Sequence, residues 1–486
     1  MTRRFSVVLL SCFLVCAAFN AIGGKRDVTV AEAAGVCPVP AAWLPSTPIP
    51  TTDTPLPHPA PDCPFYQAAW QNFLYAAQPD SDGKPRFLTQ FSTISDLFGP
   101  AAAPQFAKQQ IGMLSLAPRV AQFPNEKFTG QILGINAGVS QAGPLRGLLI
   151  DQNGNPIYYA IHLNDKYAAF IRKNGLTTKD ALLNADPDKL QFEEGALELK
   201  SAWQIVDSSN PPANYYTTTA LVPNLKIENG DLVVNSSSRK VTVALLAIHV
   251  VFVLKAHPEF IWSSFEHLSA DGQGIRDNAP TTVGNPSDTP GNTAVSSMNW
   301  TLYKAGITAS AANFPNSSQD RINSFDEKSQ RFTKNGIVLQ SSIYRMFPAS
   351  KSTDIKEDDE VVAANDSMRK LFSVTALDPK DKRRNYQLVG AIWLDRPDQT
   401  FKSNVLFQNQ PGQSTDDKDA MVAGEDRLSS TAMESFTQSD DAAGRPNCFS
   451  CHNTKRVTDD ITGKTIIPAK RLNVSHVLSK FLSELN

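Results

Sequence analysis

The run VTVALLAIHVVFVL, residues 241–254, decides the fold class. It is almost continuously apolar and rich in β-branched side chains, with one histidine, His249, inside it. A helix that crosses a membrane needs about 20 apolar residues, and this run is shorter than that. Short continuous runs of Val, Ile and Leu are the signature of a strand buried on both faces. The sequence therefore predicts a buried strand here, with a bend midway to accommodate its length.

Neighbouring stretches share that character. Strands are expected at 196–206, 215–222, 240–254 and 259–267, and again at 341–347 and 386–393. Residues 146–151 and 156–163 flank Asn153-Gly154, a hairpin signal because both residues tolerate positive φ. Asn164 then reads as the N-cap of a helix over 165–173, closed by Gly175. Apolar residues at helical spacing cover 65–75, with packing continued by 86–98, and an amphipathic helix is expected over 359–372. The stretch 269–299 is polar and dotted with Gly and Pro, a long loop of the kind that shapes sites. Residues 412–426 read as a polar linker, 430–437 as a short helix, and a final helix is expected from Asn473. The expected class is α+β: a β-rich body, flanking helices and a small helical segment at the C-terminal end.

Composition excludes several classes. The chain has 486 residues, 41% of them hydrophobic, enough for a full-sized core and for two to four domains. Lys+Arg 46 against Asp+Glu 48 leaves a net charge of −2, so there is no global field to attract nucleic acid. A mean hydropathy of −0.26 excludes a polytopic membrane protein.

The first residues read as an export signal: a basic start at Arg3-Arg4, an apolar stretch over 5–18 and small residues beyond it. Cleavage after Gly23 or after Ala33 fits the small-x-small rule. The competing reading is an uncleaved anchor, against which stand Lys25 and Arg26 on the far side of the segment. Cleavage would leave no integral-membrane span.

The six cysteines form three pairs. Cys12 and Cys16 lie in the signal. Cys37 and Cys63 bracket a proline-dense stretch, and a disulfide between them would tie down chain that cannot form regular structure. Cys448-Phe449-Ser450-Cys451-His452 is the C-x-x-C-H signature of c-type haem attachment. The spacing lets two thiols add to the two haem vinyl groups while the adjacent imidazole meets the iron. Two other readings fit less well. A thioredoxin-like dithiol belongs in a βαβ unit, and none surrounds it. A zinc site needs a further ligand, and only His476 lies nearby.

The second axial position is open on sequence grounds. No Met follows His452, so the compact small-cytochrome pattern with a downstream Met does not apply. The candidates retained are His476, His267 and Met433, alongside a solvent or gas molecule or an empty position. His249 and His257 read as a core residue and a turn residue. Between 445 and 471 the chain carries Arg445, Lys455, Arg456, Lys464, Lys470 and Arg471 against Asp459 and Asp460. This basic stretch could pair haem propionates or face an acidic redox partner, or be an ordinary solvated surface.

The chain resembles a group of exported bacterial mono-haem proteins of the cytochrome c family, in which a large N-terminal body precedes a C-x-x-C-H near the C-terminus. The resembling stretches are GALELKSAW (195–203), LAIHV (246–250), HPEFIWSSFEH (257–267), Asp277-Asn278-Ala279-Pro280 and Cys448–His452. Relative to that pattern, 268–276 reads as an insertion. The resemblance implies haem binding and electron transfer, and no particular substrate.

The sequence thus divides into a signal peptide (1–33), a Pro-rich arm (34–66), a β-rich body (67–427) and a haem-binding segment (428–486). The leading functional expectation is a periplasmic, or otherwise exported, mono-haem c-type cytochrome. It would hold one covalent haem c through Cys448, Cys451 and His452, with His452 proximal to the iron, and pass single electrons to an unidentified redox partner. The rival is a haem oxygenase or peroxidase whose body caps an open iron, with Trp262, Phe265 and His267 in the cavity wall. A third reading makes the haem chiefly structural in a binding module. No nucleophile elbow, P-loop, H-E-x-x-H or dinucleotide fingerprint occurs.

Overall fold

The run at 241–254 is the C-terminal half of one 24-residue strand, Asp231–Leu254, and every residue from 243 to 254 is buried. The computed structural model describes residues 37–48, 50, 56, 61–98, 114–115, 117–118, 148–178, 181, 192–268, 278–281, 291–346, 359–394, 422–425, 428–438, 448, 457–458 and 465–467. Within them the sheet is carried by β1 (Tyr158–Leu163), β2 (Leu197–Val206), β3 (Thr217–Glu228), β4 (Asp231–Leu254), β5 (His257–His267), β6 (Tyr386–Leu394) and β7 (Val422–Gly424). Their order is β1-β2-β4-β5-β6-β7, all antiparallel, with β3 also on β4. The fold is the expected β-rich α+β class.

β4 serves two partners in turn. Its first half pairs with β3 and its second with β5, while β2 follows the other edge from Thr242 to Phe252. At the handover, the Leu245 amide donates to the Tyr216 carbonyl (3.0 Å) and the Tyr386 hydroxyl donates to the Leu245 carbonyl (2.9 Å). Both backbone groups are thereby satisfied where the ladder changes strands, which is what a buried strand of this length requires.

One face of the sheet is covered by α1 (Cys63–Ala76) and α3 (Asp359–Val374), packed on Leu199, Trp203, Ile248, Phe252 and Phe265. α1 starts at the Cys63-Pro64 pair, with Pro in its first turn where a missing N–H costs nothing. Phe65 stacks on Trp393 (4.0 Å between centroids) and Phe73 on Phe265 (4.3 Å). The Cys37–Cys63 disulfide is formed, with an S–S distance of 2.05 Å, and joins the arm to the start of this helix. The other face is covered at one end by α2 (Asp165–Lys173) and at the other by Ala279, Leu302 and Ile343 with Ala432, Met433 and Phe436. Asn164 caps α2 as expected, its side chain accepting from the Tyr167 amide, and Gly175 follows at φ +63°. Among the described residues, no helix is long and apolar enough to cross a membrane.

Four expectations are corrected. Residues 341–347 do not form a strand in the described part, 341–346. The amides of Ser341, Ile343 and Arg345 donate to the carbonyls of Ile150, Leu302 and Pro280, three different segments, so no ladder can build. Residues 430–437 are not a helix beyond the single 3₁₀ turn Ser435–Thr437. The amides of Ser430 and Thr431 are taken by the carboxylates of Glu434 and Glu266. The end of the supposed linker, Val422–Gly424, is a strand paired with β6. Gly424 sits at φ +79°, and a Cβ there would meet the Ala391 carbonyl and the Trp393 ring. The Asn153-Gly154 turn is present but joins a single bridge, Ile150↔Pro156, instead of two full strands. The expected helix from Asn473 lies outside the described residues.

Candidate haem-attachment site

Alternation along β5 fixes which side chains can meet the C-terminal segment. Phe265 and Ile261 face α1, whereas Phe260 and Trp262 face the opposite side. There, Val251, Val253, Phe260, Trp262, Ile392 and Leu394 form an apolar surface with Tyr167, Phe170 and Ile171 of α2. Cys448 is half-buried and packs against this cluster. Cys451, His452 and His476 lie outside the described residues.

The described distal candidates are placed as follows. His267 is fully buried, with its ring stacked on Tyr215 (3.5 Å between centroids) and edge-on to Tyr386. Its Nε2–H donates to the Asn214 carbonyl at 3.1 Å, which fixes the tautomer. Met433 is fully buried with Leu246, Ala247, Ala432 and Phe436, in the cluster that also holds Tyr215. His267 and Met433 thus adjoin one apolar cluster and Cys448 another. Trp262 and Phe265, placed in one cavity wall by the enzyme reading, face opposite sides of the sheet.

The other histidines of the body have structural partners. His257 is buried edge-on to Phe65 at 5.0 Å. His162 is buried beside Phe87, and desolvation pushes its pKa down to about 4. His249 lies in a transverse row with its register partners Lys200 and Ser264, all three buried, and its Nε2 meets the carboxylate of Glu434 at 3.0 Å.

Sequence reading missed the polar network at the end of β5. Glu266 is fully buried and ion-paired to the equally buried Arg345. The Thr431 amide donates to Glu266 Oε1 and the Thr431 hydroxyl to Oε2, both at 2.9 Å, and Asn278 Nδ2 reaches Oε2 at 3.5 Å. Arg345 Nη1 donates in turn to the Ser429 carbonyl. The signal available in the sequence was a carboxylate inside a strand of buried character, since a charge there demands a partner. Nothing local pointed to Arg345 or Thr431.

Among the described residues, no group of three or more His, Cys, Asp and Glu side chains is arranged to hold a metal ion. No family model, no curated protein and no solved structure matches the chain.

Proposed function

We propose that the chain is an exported mono-haem c-type cytochrome that carries single electrons, with haem held by Cys448, Cys451 and His452. The observation that carries this reading is the C-x-x-C-H at 448–452, whose donor set of two thiols and one imidazole is the one covalent haem requires. The placement of Cys448 agrees, because a half-buried thiol against an apolar surface suits a macrocycle that is apolar over most of its area. Haem, when bound, supplies a one-electron iron couple. The chain's own residues would hold it, Cys448 and Cys451 through two thioether bonds and His452 through its imidazole. Its redox partner is a protein or small molecule of unspecified identity.

The opposite facing of Trp262 and Phe265 weighs against the enzyme reading, because a shared substrate cavity would need them on one side of the sheet. A visible spectrum of the reduced, exported protein tests the proposal, recorded with and without carbon monoxide. Low-spin c-type bands that ignore the gas are expected. Bands that shift with the gas would move the reading towards an open-iron enzyme. Absence of haem bands, in cells able to mature such proteins, would overturn it. Cys448→Ala with Cys451→Ala should abolish covalent haem while leaving the far-ultraviolet dichroism of the body unchanged.

A further inference from the structure

We infer that 428–438 is a dock by which the body fixes the haem-bearing end of the chain, and that Glu266 is its positioning residue. This rests on the proposed function, since it assigns the body a role towards the same site. The dock has two polar points. At the first, the Glu266 carboxylate receives the Thr431 amide and hydroxyl, while Arg345 binds both Glu266 and the Ser429 carbonyl. At the second, Glu434 reaches His249 Nε2 on β4 at 3.0 Å and accepts the Ser430 amide at 3.2 Å. Between them Ala432, Met433 and Phe436 are buried against Leu246 and Ala247. The Tyr159 hydroxyl donates to the Ala432 carbonyl at 2.7 Å, and Gln438 closes the dock by accepting the Met346 amide at 3.0 Å.

The chemistry is that of placement more than of stabilisation. A buried ion pair contributes little net stability compared with apolar residues of similar volume, but it tolerates few alternative arrangements. Here its donors and acceptors come from β5, from the chain around 345 and from 429–431, so only one seating satisfies them all. Cys448 lies ten positions after Gln438, and ten residue steps span at most about 35 Å. Seating Thr431 and Gln438 therefore limits where the attachment thiols can lie. Cys448 in fact rests on the same side of the sheet as the dock.

The test uses the full, haem-loaded chain and two variants of matched chemistry. Glu266→Gln weakens the dock. Asp381→Asn weakens a second buried Arg–carboxylate pair, Asp381–Arg383, which binds the arm and the end of α1. Hydrogen exchange at the amides of 429–438 should rise at least about tenfold in Glu266→Gln and less than about twofold in Asp381→Asn. The Soret-region circular dichroism of the haem should change in the same order. Covalent haem should persist in both, because the thiols are untouched. Equal effects from the two variants would overturn the inference, as would unchanged exchange in Glu266→Gln. Faster exchange with an unchanged Soret dichroism would overturn the positioning role. If Glu266→Gln does not fold, Thr431→Val removes the hydroxyl bond alone and must raise exchange at 429–438 for the dock to stand. A wild-type chain without haem would sink the proposed function, and the exchange experiment would still decide whether 428–438 is docked.

Discussion

The buried pairs Asp381–Arg383 and Glu266–Arg345 both join an arginine to a carboxylate, and they do different work. Asp381 and Arg383 are two residues apart, with the guanidinium bidentate on the carboxylate. The rest of Arg383 gathers the Pro45 and Leu74 carbonyls, so a local pair closes the arm and the end of α1 onto the start of β6. Glu266 and Arg345 are 79 residues apart. Their pair captures a third segment, 429–431, on the way to the cysteines. The first pair completes the scaffold; the second holds something to it. Similar chemistry yields architecture or placement according to which segments supply the remaining hydrogen bonds.

The largest expected effect comes from removing either guanidinium. Arg345→Met and Arg383→Met each leave a buried carboxylate without its cation, and each should cost about 3–5 kcal/mol in urea unfolding. The comparison sharpens in the location of the damage. Exchange in α1 should rise selectively in Arg383→Met, and exchange at 429–438 selectively in Arg345→Met. The same pattern of loosening in both variants would break it.

Acidification separates the ion pairs from single buried titrating groups. Burial raises the Asp151 carboxyl from 3.8 to about 6, against hydrogen bonds from the amides of Asn153 and Asn155. Its charge is thus a burden above pH 6 that is relieved as the pH falls towards 4, so this group alone makes the fold more stable in acid. His162, lowered from 6.5 to about 4, has the opposite sign: the stability it lends above pH 6.5 is lost as the pH falls towards 4. The two slopes oppose each other between about pH 4 and 6. Asp151→Asn should unmask the histidine, and unfolding free energy should then drop by up to about 3 kcal/mol between pH 7 and pH 4. A variant whose pH dependence matches the wild type would refute this pairing.

The smallest expected effect is at α2. Asn164 Oδ1 accepts from the Tyr167 and Leu197 amides, and its Nδ2 donates to the Gly195 carbonyl. Asn164→Ala should cost about 1–2 kcal/mol. It should leave 429–438 undisturbed, since α2 covers the other end of that face.

Much of the fold was legible because its signals are local. The β-branched run at 241–254, the Asn164 cap and the paired Cys37 and Cys63 each depend on residues close in sequence or on a compartment rule. Extended chain at 341–346 and the seated segment at 430–437 misled because their backbone groups are satisfied by distant partners.

The candidate site divides in the same way. By itself, the sequence determined the motif on which the proposed haem attachment rests, since two thiols and an imidazole at C-x-x-C-H spacing need no tertiary context to be read. Only the tertiary structure decided which side of the sheet carries Cys448, that Trp262 and Phe265 are separated by that sheet, and that Glu266 reaches Arg345 and Thr431. The physical reason is range. Covalent spacing and strand alternation are written within a few residues, whereas the partner of a buried charge is chosen by whichever distant segment the fold brings to it.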